Sequence, residues 1–343
     1  MPTVLLTVDV GGGHGTADAP AGTRRAIANR ILGPRAEVLV RSDLTDAKLR
    51  TALPRVDAVL ISGFPRDLPA NAWRAMTRLR MVQTLLAGVD HLPFERFPPN
   101  VTICSNAGAF DVSIPEHAFA LLLAAAKNVV ALDAAIRAGT FDQSRMGTAL
   151  HGATIGIIGL GGIGAGVAAR AKAFGMRVLG INRSGRTGAP VDFVGTLRDL
   201  ERVLRESDFV VLAVPLTTDT IGMIGKRELE WMKPTVVLVN VARGKLVREA
   251  DLYEYLRAHP QFRAALDVWW QYPKARSERP FTKPFHELPN VVMTPHVGWA
   301  IPEQAARSLE SACKNIARFL EGQRPRNIVE PGDYTFPVGR RTA

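Results

Sequence analysis

Between residues 155 and 175 the chain reads IGIIGLGGIGAGVAARAKAFG, and no other stretch narrows the possible folds as far. An apolar run of strand length leads into Gly159, Gly161 and Gly164, and an alanine-rich run of helical length follows. In a strand–turn–helix unit the first glycine permits the tight turn and the second lets the backbone approach a pyrophosphate. The third lets helix and strand pack closely. Free N–H groups and the helix dipole complete an anion site at the helix start. The loop, with Gly162 and Ile163 ahead of its last glycine, therefore predicts dinucleotide binding rather than a purely structural turn. The other glycine-rich stretch, VDVGGGHG (8–15), lacks this spacing, and Asp18 and Pro20 interrupt the helix that should follow it. It reads as a flexible turn.

Eighteen residues after Gly164, where an acidic side chain would grip a ribose 2′-hydroxyl, the sequence has Asn182, Arg183 and Ser184. No carboxylate there repels a 2′-phosphate, and an arginine at this point is the expected accommodation for one. NADP is therefore the preferred cofactor. NAD remains the alternative, with Arg183 as a solvated loop residue and the cofactor held by backbone.

Short β-rich runs alternate with helical patterns along most of the chain. TVLLTVD (3–9), EVLVR (37–41), AVLIS (58–62), RMVQTLL (80–86) and VTICSN (101–106) form a first series. A second comprises TIGIIG (154–159), RVLGIN (177–182), FVVLAV (209–214), VVLVNV (236–241), RAALDV (263–268) and VVMTP (291–295). This alternation predicts parallel sheets covered by helices on both faces. Residues 106–129 read as one long apolar helix crossing into the second series, and 301–322 as an amphipathic helix able to return to the first. With 343 residues the chain suits two domains.

The longest apolar run, AFALLLAAA (118–126), is too short to span a bilayer. The start lacks the basic segment and cleavage site of a signal peptide. Cys104 and Cys313 are the only cysteines, which argues against a disulfide framework and for a reducing cytoplasm. The net charge of +11 is spread thinly along the chain, without a basic stripe, so it suits anionic small ligands better than nucleic acid.

Several separated motifs resemble one family in order and spacing. GLGGIG, VPLTTDTIGMIG (214–225), VNVARGKLV (239–247), AALDV (264–268) and TPHVGWA (294–300) are similar to those of the D-isomer-specific 2-hydroxyacid dehydrogenases. Upstream, LLAGVDHL (85–92) and PEHAFALLL (115–123) fit the same pattern. The resemblance implies two doubly wound α/β domains: a Rossmann dinucleotide-binding domain, 109–299, inserted into a flavodoxin-like substrate domain, 1–108 plus 300–343. It implies a homodimer formed through the cofactor domain, with the 117–132 helix and the following arm as contacts. Val214, Pro215, Thr220, Val241, Ala242, Asp267 and Gly298 would line the cofactor, with Asp267 facing the nicotinamide carboxamide.

Reduction of a 2-keto acid needs a carboxylate anchor, a group that polarises the carbonyl, and a proton donor. Arg243 suits the first two, because a guanidinium forks across oxygens. Backbone N–H groups around Ala87 and Gly88 would take the remaining carboxylate oxygen, and His296 suits the third role as general acid–base. The bland readings are a surface arginine, a turn-forming aspartate and solvated histidines, His14, His151, His259 and His286 among them.

One expected group is missing. In that family a Glu five residues after the Asp of LDV pairs with the catalytic histidine, and here that position is Tyr272. A carboxylate would favour the imidazolium, so without one His296 should titrate lower. Three readings follow: Tyr272 orients the imidazole, Gln271 faces it as a glutamine does in the related formate dehydrogenases, or the histidine no longer catalyses. The last would leave a dinucleotide-sensing scaffold like the family's corepressor relatives. The first is preferred. Trp299 would line the substrate side and favour an apolar or aromatic keto acid, with Phe110 and Asp111 contributing from the hinge, whereas Trp269 and Trp270 read as core.

Overall fold

The computed structural model describes residues 1–7, 21–63, 68–69, 71–273, 275 and 277–334; VDVGGGHG, Asp18 and Pro20 lie outside them. The described residues fall into two compact units, one drawn from Met1–Phe110 and Ala300–Thr335 and the other from Asp111–Trp299.

The first unit is built on five parallel strands: β1 (Thr3–Leu6), β2 (Glu37–Val40), β3 (Val56–Ile61), β4 (Met81–Thr84) and β5 (Thr102–Cys104). Their order is β2-β1-β3-β4-β5, the doubly wound pattern of flavodoxin-like sheets. All six residues of β3 are buried, as expected for a central strand covered on both faces. Its one charge, Asp57, accepts from the N–H of Thr3 at 2.9 Å and pairs with Arg78 at 3.0 Å. Helices α1 (Ala21–Leu32), α2 (Asp46–Ala52) and α3 (Ala72–Ala75) accompany these strands.

The C-terminal helix α10 (Gln304–Leu320) returns to this unit. Leu309, Ala312, Cys313, Ile316 and Ala317 recur at helical spacing and share one core with Ala28 and Leu32 of α1 and Val4 and Leu6 of β1. Cys104 and Cys313 belong to the same core as free thiols, and burial pushes each up to about 12.

The second unit holds seven parallel strands: β6 (Thr154–Ile158), β7 (Arg177–Ile181), β8 (Phe193–Gly195), β9 (Phe209–Leu212), β10 (Val237–Asn240), β11 (Arg263–Leu266) and β12 (Val291–Met293). Their order is β12-β11-β10-β9-β6-β7-β8. From β6 the chain winds outward through β7 and β8, then returns to the other side of β6 as β9. The reversal leaves a crevice at the carboxyl ends of β6 and β9, where such sheets bind ligands.

Helices α4 (Ser113–Ala126), α5 (Val129–Arg137), α6 (Gly162–Ala173), α7 (Leu200–Glu206), α8 (Lys226–Trp231) and α9 (Glu249–Ala258) cover this sheet. The single long helix expected across 106–129 is instead two. Asn128 adopts a left-handed conformation (φ 56°), and α5 leaves α4 at a bend of 62°. Helix α4 is a core helix, with Ala118, Phe119, Leu122 and Ala126 buried against Ile157, Val167 and Val239. Helix α5 and the segment after it expose Val129, Val130, Ile136, Phe141 and Met146. No single helix among the described residues is long and apolar enough to cross a membrane.

Candidate active site

The glycine loop joins β6 to α6 at the reversal point. Gly159 has φ +105°, and a Cβ there would lie 2.6 Å from the carbonyl oxygen of Ala213. The turn is thus pressed onto the peptide leading into Val214 and Pro215 after β9. A Cβ at Gly164 would lie 1.8 Å from the carbonyl oxygen of Gly159, so the helix seats on the turn only without a side chain. At Gly161 nothing lies within 4 Å of such an atom. Helix α6 has no side-chain N-cap and no acidic residue in its first turn. Bare N–H groups at a helix start, beside a glycine that leaves room for a ligand, fit a dinucleotide pyrophosphate.

Asp111 stands against this helix start. Its carboxylate oxygens occupy the place where a Cβ on Gly162 would fall, and Oδ1 is buried without a hydrogen-bond partner among the described residues. Burial raises its pKa. The sequence marked Asp111 only as a hinge residue; nothing local announces its approach to a loop fifty residues away.

Beyond β7, Asn182 shapes its loop. Its Oδ1 accepts from the N–H of Ser184 at 3.1 Å and of Gly185 at 2.7 Å, and its amide donates to Arg186 O at 2.7 Å. Arg183 and Ser184 are exposed on this loop. After β9, Thr220 donates to Pro215 O at 2.7 Å and accepts from the N–H of Thr217 at 2.8 Å, which closes the 215–220 turn.

Arg243 and His296 each follow a strand by three residues, β10 and β12 respectively. Because the sheet is parallel throughout, both lie along its carboxyl edge, as does the glycine loop. Asn240, at the end of β10, builds the turn that carries Arg243: its amide donates to Arg243 O at 2.9 Å and its Oδ1 accepts from Ala242 N–H at 3.1 Å. The guanidinium of Arg243 donates to Ala242 O at 2.7 Å. Val241 is buried beside this turn.

Trp269 ties the two loops together. A Cβ on Gly244 would sit 2.3 Å from the carbonyl oxygen of Trp269, and the Trp269 indole N–H donates to Thr294 O at 2.9 Å. Trp270 donates to Val247 O at 2.7 Å. Both indoles are buried, as the core reading expects.

His296 has a left-handed backbone (φ 58°). Asp267, just past β11, faces the loop that this conformation creates: Oδ1 accepts from Val297 N–H at 3.0 Å and Oδ2 from Gly298 N–H at 3.0 Å. Thr294 Oγ1 donates to Oδ1 at 2.6 Å, and His117 Nε2 of α4 lies 3.2 Å from the same oxygen. Burial alone would raise the Asp267 carboxyl; hydrogen bonds from His117, Thr294 and the two N–H groups outweigh it and hold the group low. The Trp299 indole donates to His296 O at 3.0 Å.

The Tyr272 ring packs beside the His296 imidazole, centroids 5.3 Å apart and planes tilted by 42°. Gln271 is exposed, its N–H donating to Pro280 O at 3.1 Å. Ala87 and Gly88 lie in the first unit, in the loop after β4 where Thr84 Oγ1 donates to Leu86 O at 2.6 Å. Phe110 is buried. Among the histidines read as solvated, His259 is instead half-buried at the end of α9, with Nδ1 2.8 Å from Tyr255 O and its ring stacked on Tyr255. Among the described residues no cluster of three or more His, Cys, Asp or Glu side chains is placed to hold a metal ion.

A seven-stranded doubly wound sheet with a bare glycine loop at its reversal point, and an arginine and a histidine past the ends of β10 and β12 on its carboxyl edge, fits a nicotinamide-dinucleotide oxidoreductase. The chain belongs to the D-isomer-specific 2-hydroxyacid dehydrogenase family, whose NAD-binding-domain model matches residues 119–298. It is 36% identical over 291 residues to a glyoxylate reductase of Pyrococcus furiosus, covering 82% of this chain and 84% of the relative. It is 33% identical to a D-3-phosphoglycerate dehydrogenase of Archaeoglobus fulgidus, covering 88% of this chain and 57% of that longer relative. Among solved structures, a glycerate dehydrogenase related protein from Thermoplasma acidophilum is 34% identical, with a TM-score of 0.62 over 92% of this chain and 99% of that one.

Proposed function

We propose that the protein reduces a 2-keto acid to the D-2-hydroxy acid with NADPH, the same groups serving the reverse reaction. The observation that carries this reading is the placement of Arg243 and His296 on one carboxyl edge of the sheet that bears the glycine loop, their loops joined through Trp269. The bound dinucleotide supplies the hydride. Arg243 anchors the substrate carboxylate and polarises its carbonyl, and its fork of N–H donors suits both oxygens. The N–H groups around Ala87 and Gly88 take the other carboxylate oxygen. His296 gives a proton to the developing alkoxide and regains one from solvent.

Residues 1–108 with 300–343 form the substrate domain and 109–299 the cofactor domain. Preference for NADP rests on the 182–184 loop, where Asn182 turns the chain and Arg183 and Ser184 meet the 2′-phosphate without an opposing carboxylate. Tyr272 orients the His296 ring without adding charge. The Trp299 face beside His296 favours an apolar or aromatic side chain on the substrate. Two buried reduced thiols suit a reducing cytoplasm, and the exposed apolar residues of α5 and the arm suit a homodimer.

Oxidation of NADPH and NADH by the purified protein, with glyoxylate, hydroxypyruvate, pyruvate and phenylpyruvate, tests the reading. Turnover with a higher kcat/KM for NADPH is expected. Tight dinucleotide binding without turnover on any of these acids would leave a sensing scaffold in place of an enzyme.

A further inference from the structure

We infer that His117 is a positioning residue for the proton-donating loop, acting on His296 through Asp267 and Thr294. The inference rests on His296 being the acid–base group. His117 belongs to α4, and its Nε2 lies 3.1 Å from Thr294 Oγ1 and 3.2 Å from Asp267 Oδ1. The Thr294 hydroxyl gives its own proton to Asp267 Oδ1 at 2.6 Å. Its oxygen is therefore left to accept, and the shared hydrogen at the histidine must sit on Nε2.

The His296 loop depends on that carboxylate. Two successive N–H groups, those of Val297 and Gly298, converge on Asp267, and they converge because His296 is left-handed. A non-glycine residue keeps that conformation only where its surroundings over-determine it. Asp267 is 2% exposed, so a buried anion here needs every donor it has. His117 supplies one of them from a separate element. It also stands close to the loop, with room for Gly298 but little for a side chain: its Cδ2 would lie 3.2 Å from a Cβ there. Without the imidazole donor the carboxylate turns toward other partners, the pair of N–H groups loses its acceptor, and the His296 ring is presented less accurately. An error of about 1 Å in such a group costs on the order of 100-fold in rate.

The test compares His117→Leu, His117→Asn and His117→Gln in the full chain, reading kcat for keto-acid reduction and dinucleotide Kd by fluorescence titration, with His296→Ala in parallel. The Leu and Asn variants should lose on the order of 10–100-fold in kcat with Kd within about threefold of the parent. The Gln variant, whose longer side chain returns an N–H to the same place, should recover most of that loss. Equal kcat in all three variants and the parent, a loss that appears in Kd instead of kcat, or a Gln variant no better than Leu would each overturn the inference. If the Leu variant does not fold, the Asn–Gln comparison makes the same decision. Undiminished turnover in His296→Ala would remove the acid–base assignment itself, a failure distinguishable from that of His117.

Discussion

Asp111 is a side chain whose cost can be measured. Its carboxylate is pressed against Gly162 at the start of α6, and burial raises its pKa above the ordinary carboxylate range. An acid raised in the folded state binds more protons folded than unfolded between its two pKa values. Stability from this group is therefore complete below the unfolded value, about 3.9, and falls as pH rises through the folded one. Asp111→Asn should raise the melting temperature at neutral pH, and the gain should vanish in acid below the normal carboxylate range. The same change removes a negative charge next to the anion site, so dinucleotide Kd should fall several-fold at pH 7, by titration. At this scale the residues whose chemistry is rare stood out in the sequence: Arg243, His296 and the absent carboxylate at Tyr272. Asn240, His117 and Asp111 did not, because their roles depend on tertiary approach. Asn240 looks like any strand-end asparagine, and His117 like a core histidine on an apolar helix, until β11 and β12 are set beside them.

Elements were readable in proportion to the regularity of their signals. The eleven strands read as short β-rich runs formed, and the central ones, such as β3, β6, β9 and β10, are buried along their whole length in a covered sheet. Strand β8 went unread because FVG offers only two apolar residues, set between Asp192 and Gly195. The break between α4 and α5 was also hidden, because apolar residues continue across Asn128 while the backbone reverses its twist there. The glycine loop was the clearest element, and its geometry makes a sharp prediction. Gly164→Ala places a methyl group 1.8 Å from the carbonyl oxygen of Gly159, so β6 and α6 must separate. The variant should lose dinucleotide binding and more than about 2 kcal/mol of stability, as overpacking against backbone does. Denaturant melts with and without cofactor read both effects; an unchanged midpoint and Kd would show that the loop relaxes freely.

For the whole molecule, the exposed apolar surface on α5 and the segment after it sets the next expectation. Ile136 is 58% exposed, Phe141 79% and Met146 89%, three large exposed apolar side chains within a short stretch of chain. If two copies meet there, Ile136→Asp with Phe141→Asp should turn a dimer into a monomer by light scattering while leaving each chain folded. A parent protein that is already monomeric would reject this surface as the contact. The arrangement of two parallel α/β units was legible from the order of the motifs, because each strand-end loop carries its chemistry at a fixed place in a doubly wound sheet. The identity of the keto acid was not, since no motif in the sequence specifies the side chain that a substrate carries. The proposed reaction turns on one proton. The most direct measurement is kcat for NADPH-dependent keto-acid reduction by the parent protein and His296→Ala, with dinucleotide Kd measured on both. A loss of roughly 10²–10⁴-fold in kcat with Kd unchanged is the expected result. Turnover by His296→Ala at the parent rate would contradict it.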